Sequence, residues 1–400
     1  MSGQSVGLMF GKGTVEVELG ASVDATVIVK PPMAVIADPA AAVQASIVSP
    51  ASDEGGPACA PLAEFAKGKA TACILICDIT RPVPNGLLLP VLVKTLIEAD
   101  VPKEGITVLI ATGLHRPNEG DELRELVGDE WVLDNVSCVN HFARNDEDHV
   151  QVGVTEGRGT VAKIDKRFVE AEVRIATGLV EPHFMAGYSG GRKVISPGIA
   201  HSETITTFHS ARFMEHPKAV EGNLVGNPLH EEQLAIVDMM NTAENPILSM
   251  NVVIDDERRL GFVSYGHIKA SHAQAVDFVR KFAEVGVPGP RFNTVVTSTA
   301  GYPLDKTYYQ TVKGMCLALG VLAPGGDLII ASECSEGLGS EEFKESQARF
   351  VEMGSAKFLE KVLAQKYAEI DVSSSSHPVA AIQYTSPLRP SYLPFPPSYL

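Results

Sequence analysis

The sequence predicts an α/β protein built from two α/β domains with mainly parallel sheets. Its 400 residues exceed what one hydrophobic core usually supports, which favours two domains. Short apolar runs alternate along the chain with segments of helical periodicity, and this alternation is typical of a parallel sheet covered by helices. Several runs are apolar at nearly every position, as expected for strands that are buried on both faces. A content of 45% hydrophobic and 20% charged residues is that of an ordinary globular protein.

The first predicted domain, residues 1–285, begins with short alternating segments and continues with strands and helices in turn. Alternation of period two at 13–19 and 25–29 predicts an antiparallel strand or two. Further strands are predicted at 72–77, 106–111, 136–139 and 173–177, and helices at 87–99 and 120–127. A charged helix near 268–285 is expected to connect this domain to the next.

The second predicted domain, residues 286–371, follows a boundary rich in glycine and proline. It is expected to hold strands at 293–297 and 327–331 and helices at 307–319 and 341–351. The tail from 372 to 400 is rich in serine, proline and tyrosine and has no amphipathic period, which predicts an irregular segment. We expect the active site to lie in the cleft between the two domains.

The charge and the cysteine content exclude several classes of partner. The formal net charge is 33 − 49 = −16, which opposes binding to nucleic acid or to an anionic membrane. A local pocket of arginine and lysine still permits a small anionic substrate. The six cysteines form no CxxC pair, so free thiols in a reducing cytoplasm are expected. The N-terminus has no secretory signal pattern, and no apolar run approaches the ~20 residues that span a bilayer.

Three polar loops follow predicted strands, and ligands of parallel sheets bind outside the carboxyl ends of the strands. The loops are Asp78-Ile-Thr-Arg-Pro82, Ala111-Thr-Gly-Leu-His-Arg116 and Glu181-Pro-His-Phe-Met-Ala-Gly-Tyr-Ser-Gly-Gly-Arg-Lys193. An arginine there can bind a carboxylate through paired hydrogen bonds, and a neutral imidazole can accept a proton from a substrate hydroxyl. Taken singly, Asp78 and Arg81 also fit an ion pair that fixes a turn. The two histidines, His115 and His183, at adjacent strand ends could flank one substrate carbon.

The segment Ser189-Gly-Gly-Arg-Lys193 is similar to a phosphate loop but fails its pattern, because Lys193 is followed by Val194. NTP hydrolysis is therefore not expected. The glycines would allow backbone amides to approach an anion, and the lysine could form a covalent adduct or neutralise a phosphate. A glycine turn followed by a solvated Arg-Lys pair is the structural alternative.

Two further groups of residues have candidate roles. His209 lies in a predicted helix at 203–213, but neither an HExxH motif nor an i,i+4 histidine pair supports a zinc hydrolase. Tyr309 and Lys313 are four residues apart, hence on one helical face, and could close over an anionic substrate. An ordinary salt-bridged amphipathic helix is the alternative at that position.

These motifs, in this order, resemble the nickel-pincer-nucleotide lactate racemase family, a set of 2-hydroxy-acid racemases and epimerases. The resemblance covers about residues 5–371. It depends on the three loops described above, and the segments that complete it are His209 and Tyr309-Gln-Thr-Val-Lys313. Each motif is modest alone, whereas the ordered set is specific.

The resemblance implies a nickel cofactor, pyridinium-3,5-bisthiocarboxylic acid mononucleotide, attached covalently to Lys193. It makes His209 the nickel ligand, and a square-planar site of soft donors with one imidazole suits Ni(II). His115 and His183 correspond to the two acid/base histidines, and Asp78 to the residue that orients the site. The other residues that it implies are Arg81 and Lys313 in catalysis, and Thr80, Gly190, Gly191, Arg192, Tyr309 and Gln310 around the cofactor.

The resemblance also implies a reaction, the racemisation of a lactate-like 2-hydroxy acid through a 2-keto acid. Removal of a proton from carbon is opposed by the adjacent carboxylate, whereas hydride removal through the nickel-pincer nucleotide gives a flat keto acid. Hydride can then return to either face, and the two histidines serve the two enantiomers. Closure of the second domain would exclude water and retain the intermediate. Proteins that make the cofactor are the implied partners.

Two alternatives from other functional classes stay open. A metal-dependent hydrolase would use His115, His183 and His209 to bind zinc and would carry no modified lysine. A noncatalytic protein that binds a carboxylate or a nucleotide would show no turnover. Family members usually continue beyond the equivalent of Asp371 with a tryptophan-containing segment, whereas the single tryptophan of this chain is Trp131, which favours the noncatalytic alternative somewhat.

Overall fold

The computed structural model describes residues 4–208, 210–287, 289–302, 304–339 and 341–364. The predicted nickel ligand His209 and the predicted irregular tail at 372–400 lie outside these residues. No helix in the described part of the chain is long and apolar enough to cross a membrane. All six cysteines are free.

The secondary structure alternates between strands and helices over most of the chain. The strands are β1 (Gln4–Phe10), β2 (Gly13–Leu19), β3 (Ala72–Cys77), β4 (Ile106–Ala111), β5 (Ser137–Asn140), β6 (His149–Val154), β7 (Val161–Asp165), β8 (Val173–Leu179), β9 (Pro182–His183), β10 (Gly187–Tyr188), β11 (Ile247–Ile254), β12 (Leu260–His267), β13 (Phe292–Ser298) and β14 (Leu322–Ala331). The helices are α1 (Pro39–Val48), α2 (Leu62–Ala66), α3 (Asn85–Glu98), α4 (Asp121–Val127), α5 (Glu130–Asn135), α6 (Lys166–Val169), α7 (Arg192–Ile195), α8 (Ser202–Phe208), α9 (Ala211–Met214), α10 (Pro228–Asp238), α11 (Ile268–Ala283), α12 (Tyr308–Ala318), α13 (Glu341–Met353) and α14 (Ser355–Ala364).

The larger of two compact units contains residues 30–208 and 222–284 and is built on a six-stranded sheet. The strand order is β12-β11-β8-β3-β4-β5. Strands β11, β8, β3, β4 and β5 run parallel, and β12 pairs antiparallel with β11 at one edge. This mainly parallel arrangement confirms the predicted α/β class.

The core of this unit covers both faces of the central strands. Ile74 and Ile76 of β3 are fully buried and belong to one apolar cluster with Leu88 and Leu92 of α3. The alternate residue Leu75 is also fully buried, on the opposite face of the strand. A strand with both faces covered must be apolar throughout, which explains why the run at 72–77 has no polar residue.

The smaller unit contains the described residues of 4–29, 210–221 and 285–364. Strands β13 and β14 pair in parallel, and α12 follows the first of them. The hairpin β1–β2 belongs to this unit, although the predicted first domain included it. Its turn is fixed there because the Gly11 amide donates to Asp305 Oδ2 (2.7 Å) and the Gly11 carbonyl accepts from the Tyr302 amide (2.7 Å). The domain boundaries at 285 and 371 stay predictions.

Two local predictions were wrong. The segment 25–29 is exposed and forms no strand, because no other segment pairs with it despite its alternating pattern. The helix expected at 203–213 is two short helices, α8 and α9. Ser210 lies before α9, and its carbonyl accepts from the amides of Phe213 and Met214, so a new helix begins at this serine.

We expect Ile74→Ala to lower the free energy of unfolding by about 2–5 kcal/mol, because it leaves a cavity at a fully buried position of the central strand. Chemical denaturation of the variant and of the unsubstituted protein measures the difference. Val225→Ala is the control, since Val225 is 81% exposed and should change stability by less than about 0.5 kcal/mol. Equal losses in the two variants would contradict the burial of β3.

Candidate active site

The carboxyl ends of three neighbouring strands carry the predicted catalytic residues of the larger unit. Asp78 follows β3, His115 follows β4 and His183 lies in β9, just after β8. Strand β3 pairs with β4 on one side and with β8 on the other, and all three run parallel. The three loops therefore meet at one edge of the sheet, as predicted.

Asp78 and His115 form a hydrogen-bonded pair at this edge. His115 Nδ1 lies 2.6 Å from Asp78 Oδ2, and the Thr80 hydroxyl donates to Asp78 Oδ1 (2.6 Å). Burial alone would raise the pKa of Asp78, but the bonds from His115 and Thr80 and the nearby Arg81 charge bring that pKa below its ordinary value. A carboxylate at Nδ1 requires the ring proton there. The lone pair of the neutral ring is then on Nε2, where it can accept a proton.

His183 has the opposite hydrogen-bond arrangement. Its Nδ1 accepts from the backbone amides of Met185 (3.4 Å) and Ala186 (3.2 Å), so the neutral ring carries its proton on Nε2. The side chain is buried, with 9% of the residue exposed, and the ring stacks on Phe184 at 4.7 Å between centroids. In this state Nε2 is a hydrogen-bond donor. The two histidines thus present one acceptor and one donor nitrogen.

Ser189 fixes both ends of the loop that carries His183. Its hydroxyl donates to the Leu179 carbonyl (2.7 Å) and accepts from the Glu181 amide (3.0 Å), while its own amide donates to the Glu181 carbonyl (2.9 Å). The loop between these residues is therefore closed at its base.

Lys193 stands apart from its neighbours in burial. In the segment 185–196, all of which the structure describes, every residue is buried except Lys193. Its backbone is held at both sides, because its amide donates to the Gly190 carbonyl (3.1 Å) and its carbonyl accepts from the Gly198 amide (3.2 Å). The Gly198 carbonyl in turn accepts from the Gly113 amide (2.9 Å), which links this segment to the His115 loop. A buried, hydrogen-bonded segment thus carries one partly exposed lysine.

The glycines before Lys193 are required by packing. A Cβ at Gly190, where φ is +77°, would lie 2.5 Å from Val180 Cγ2, and a Cβ at Gly178 would lie 2.9 Å from the Gly190 Cα. The Gly191 amide donates to Asn251 Oδ1 (2.9 Å), a fully buried side chain of β11. This amide is therefore already bonded within the protein. The glycines let the turn cross the end of β8 at close range.

Arg192 is buried, with 1% of the residue exposed. Its guanidinium donates to the carbonyls of Ala186 and Tyr188, each at 2.9 Å, and its Nη1 lies 2.9 Å from His272 Nε2. None of these partners is a carboxylate, and burial lowers the pKa of Arg192 to about 9. The side chain points away from solvent and holds the 186–189 backbone. The sequence alternative of a solvated Arg-Lys pair is wrong for this residue.

Arg81 is the partly exposed cation beside the Asp78–His115 pair. Its Nε lies 3.9 Å from Glu181 Oε1, and both side chains are more than a third exposed, so this ion pair is weak. Arg116, next to His115, is instead bound by Glu122 through two 2.7 Å hydrogen bonds. Of these two arginines, Arg81 is the better placed to exchange its partner for a substrate carboxylate.

The remaining predicted residues lie in the smaller unit or outside the described part of the chain. Tyr309, Gln310 and Lys313 occupy the first turns of α12, and the Thr307 hydroxyl caps this helix at the Gln310 amide. The Lys313 ammonium lies 5.9 Å from the centre of the Tyr309 ring, which also contacts Phe343 edge to face. Burial raises the pKa of Tyr309. The structure does not describe His209.

Sequence reasoning missed two buried residues that contact the turn before Lys193. Asn251 and His272 are buried polar residues that bind Gly191 and Arg192. A signal existed for Asn251, because Asn251 and Ser249 are the two polar residues in the mainly apolar run of β11. His272 lies on a helix of ordinary composition, so nothing in the local sequence singles it out.

Fold and site together define a two-unit α/β protein whose larger unit presents two histidines and a lysine at the carboxyl edge of a mainly parallel sheet. Family models of the lactate racemase N-terminal and C-terminal domains match residues 10–222 and 288–374. The chain therefore belongs to the lactate racemase family.

Named relatives and solved structures agree with this assignment. The chain is 37% identical over 282 residues to a lactate racemase of Thermoanaerobacterium thermosaccharolyticum and 36% identical over 284 residues to one of Lactiplantibacillus plantarum. Each match covers 70% of this chain and 64% of the relative, so the chain spans less than two thirds of their length.

Two solved structures share the fold. The lactate racemase apoprotein of Thermoanaerobacterium thermosaccharolyticum matches with a TM-score of 0.82 and 31% identity, over 95% of this chain and 85% of that one. A protein from Thermotoga maritima matches with a TM-score of 0.58 and 19% identity, over 82% of this chain and 80% of that one. The second likeness concerns the fold alone.

We expect Arg192→Lys to destabilise the protein in the absence of any cofactor. The lysine ammonium does not reproduce the planar guanidinium that bonds both the Ala186 and the Tyr188 carbonyl, so a buried carbonyl loses its donor, and the free energy of unfolding should fall by about 2–4 kcal/mol. Denaturant unfolding of the unloaded protein measures this. Arg124→Lys, which alters an exposed ion pair with Glu130, is the matched control and should change little. An unchanged stability of Arg192→Lys would instead favour a role confined to ligand binding.

A second prediction concerns acid stability and follows from the environment of Arg192. Burial and the Arg192 charge lower the pKa of His230 to about 3. As the pH falls below about 6.5, the unfolded chain therefore takes up a proton that the folded protein does not, and stability is lost between about pH 6.5 and pH 3. His230→Gln should flatten the decline of the unfolding free energy over that range.

The neighbouring variant Gln233→Leu is the control for that experiment. Gln233 is 1% exposed and carries no titratable group, so its replacement should leave the pH slope as in the unsubstituted protein. Urea unfolding at several pH values measures the slopes. Equal slopes for His230→Gln and the unsubstituted protein would refute the lowered pKa of His230 in the folded protein.

Proposed function

We propose that the protein is an enzyme, a racemase or epimerase of a lactate-like 2-hydroxy acid. The observation that carries the proposal is the placement of one partly exposed lysine, Lys193, in an otherwise buried segment at the sheet edge that also holds His115 and His183. Membership of the lactate racemase family supports it. A covalent attachment point needs a side chain that is not fully buried and a backbone that is held in place. Lys193 is partly exposed, and its backbone amide and carbonyl are both hydrogen-bonded.

The residues of this chain fit the nickel-pincer nucleotide that the family resemblance implies. Lys193 would hold it, and His209 would supply the imidazole ligand to nickel. Thr80, Gly190, Gly191 and Arg192 would contribute mainly through the backbone and the shape of the loop, since the polar groups of Thr80, Gly191 and Arg192 named above already have partners within the protein. When bound, the group would supply an acceptor and donor of hydride.

The two histidines would act on the hydroxyl group of the substrate, one as a proton acceptor and one as a hydrogen-bond donor. His115 Nε2 has the lone pair that accepts this proton, and Asp78 stabilises the imidazolium that results. His183 would present an Nε2 proton to the substrate from the buried side of the site. Oxidation of the hydroxyl carbon gives a flat 2-keto acid, and its reduction from the other face gives the opposite enantiomer.

The proposal also assigns roles to Arg81, to residues of the smaller unit and to partner proteins. Arg81 would exchange its weak contact with Glu181 for the substrate carboxylate, because paired hydrogen bonds to a carboxylate are stronger than an exposed ion pair at 3.9 Å. Lys313, Gln310 and Tyr309 would contribute from the smaller unit. We also propose maturation proteins as partners in cofactor synthesis, and the cytoplasm as the compartment, which suits six free thiols.

The decisive test is the mass of the Lys193 peptide from protein coexpressed with pincer-cofactor maturation enzymes. We expect a nucleotide adduct on Lys193, nickel near one per chain, and interconversion of D- and L-lactate or a related hydroxy acid. His115→Gln and His183→Gln should keep the adduct but lower turnover by at least about 10²-fold, the usual contribution of an acid/base group.

Lys193→Arg is the control for this experiment, since it keeps the charge and should carry no adduct. A loaded protein that retains full turnover without His115 and His183 would exclude the proposed acid/base roles. An unmodified Lys193 and the absence of nickel, while a known racemase is loaded in parallel, would exclude the cofactor.

A further inference from the structure

Two asparagines, Asn118 and Asn140, are joined by two hydrogen bonds next to the loop that carries His115. Asn140, the last residue of β5, accepts from the Asn118 amide through Oδ1 (2.9 Å) and donates to the Asn118 carbonyl through Nδ2 (2.9 Å). One side-chain amide therefore satisfies both backbone groups of Asn118, a residue that is only 2% exposed. This bond ties the loop after β4 to the neighbouring strand end.

The Asn118 side chain extends this connection in two further directions. Its Oδ1 accepts from the amide of Ile79, the residue that follows Asp78, at 3.4 Å. Its Nδ2 donates to Glu122 in α4, and Glu122 binds Arg116 through two 2.7 Å hydrogen bonds. The bonds from Arg116 and Asn118 lower the pKa of Glu122 to about 2, so it remains an acceptor at neutral pH.

His115 lies on a loop whose backbone is held before and after this residue. The Gly113 amide donates to Gly198 before it, and Arg116 is bound by Glu122 after it. The His115 side chain is 63% exposed, so packing alone does not fix its direction. Its 2.6 Å bond to Asp78 therefore depends on how the two loops are held relative to each other.

We propose that Asn118 and Asn140 are positioning residues for the Asp78–His115 pair. They hold the loops after β3 and β4 at the separation at which Asp78 meets His115 Nδ1 and Nε2 faces the substrate. The effect of these residues on turnover rests on the proposed function. The hydrogen-bond geometry of the pair can be tested without any activity.

The first test is the ring protonation of His115 in the unloaded protein, measured by NMR on protein labelled with ¹⁵N-histidine. The His115→Gln spectrum assigns the signals. The neutral ring should carry its proton on Nδ1 in the unsubstituted protein. Asn118→Asp is nearly isosteric but replaces the donor that faces Glu122 by an acceptor, so repulsion should release Glu122 and Arg116. The Nδ1 form should then lose its dominance.

Asn135→Asp is the matched control. Asn135 binds the Trp131 carbonyl and Lys103, and neither belongs to the loops of the pair. Its replacement should leave the His115 signals unchanged. If Asn118→Asp does not fold, Asn140→Asp replaces it, because aspartate keeps the acceptor for the Asn118 amide but loses the donor to the Asn118 carbonyl. An unaltered His115 tautomer in the folded variant overturns the inference, whatever the activity of the protein.

A double-mutant cycle in the loaded enzyme separates positioning from general destabilisation. Asn118→Asp should lower kcat by about 10–10²-fold with little change in KM, as expected for a misplaced acid/base group. In an Asp78→Asn background the same substitution should have a much smaller effect, since the pair that it positions is already broken. An equal fold-change in both backgrounds overturns the inference. Absence of racemisation by the unsubstituted loaded protein would refute the proposed function and leave the NMR result standing.

Discussion

The parallel pairing of β3 between β4 and β8 is the constraint on which the rest of the larger unit depends. Both faces of β3 are buried, so this strand cannot move to an edge of the sheet without exposing Ile74 or Leu75 to water. Its position makes Asp78 the central residue at the carboxyl edge, with the loops that carry His115 and His183 on its two sides. The geometry of the candidate site is therefore a consequence of core packing.

The turn before Lys193 solves a second physical problem, the cost of a buried cation. The Arg192 guanidinium has no carboxylate partner among the described residues, and its desolvation is offset by hydrogen bonds to two carbonyls. These bonds make the loop rigid, and Gly190 lets it cross β8 at close range. In the segment 185–196 all other residues are buried, and only Lys193 is partly exposed.

Periodicity predicted β3, β4, β5 and β8 of the central sheet, because burial on both faces leaves an apolar run, and the ends of β3 and β4 follow from the sequence alone. It did not predict β11 and β12 of the same sheet. It failed at 25–29, where an alternating pattern has no partner strand, and at 203–213, where Ser210 begins a new helix. The motifs located the loops after three strands. They could not show that Arg192 points inward or that Asn140 binds Asn118, because both facts depend on contacts between segments distant in sequence.

The two histidines differ in how firmly their protons are placed, and this difference matters for a reaction that must run in both directions. Asp78 fixes the His115 proton on Nδ1 through a 2.6 Å bond, and a carboxylate there also stabilises the charged ring. The His183 bonds to two backbone amides are 3.2 and 3.4 Å long and therefore weak. A change of tautomer at His183 would point an Nδ1 proton at these two amide protons and deprive both amides of this acceptor, so in the proposed reaction each ring would keep its tautomer. His115 Nε2 would accept the hydroxyl proton and return it from the imidazolium, while His183 Nε2 would donate a hydrogen bond to the substrate oxygen.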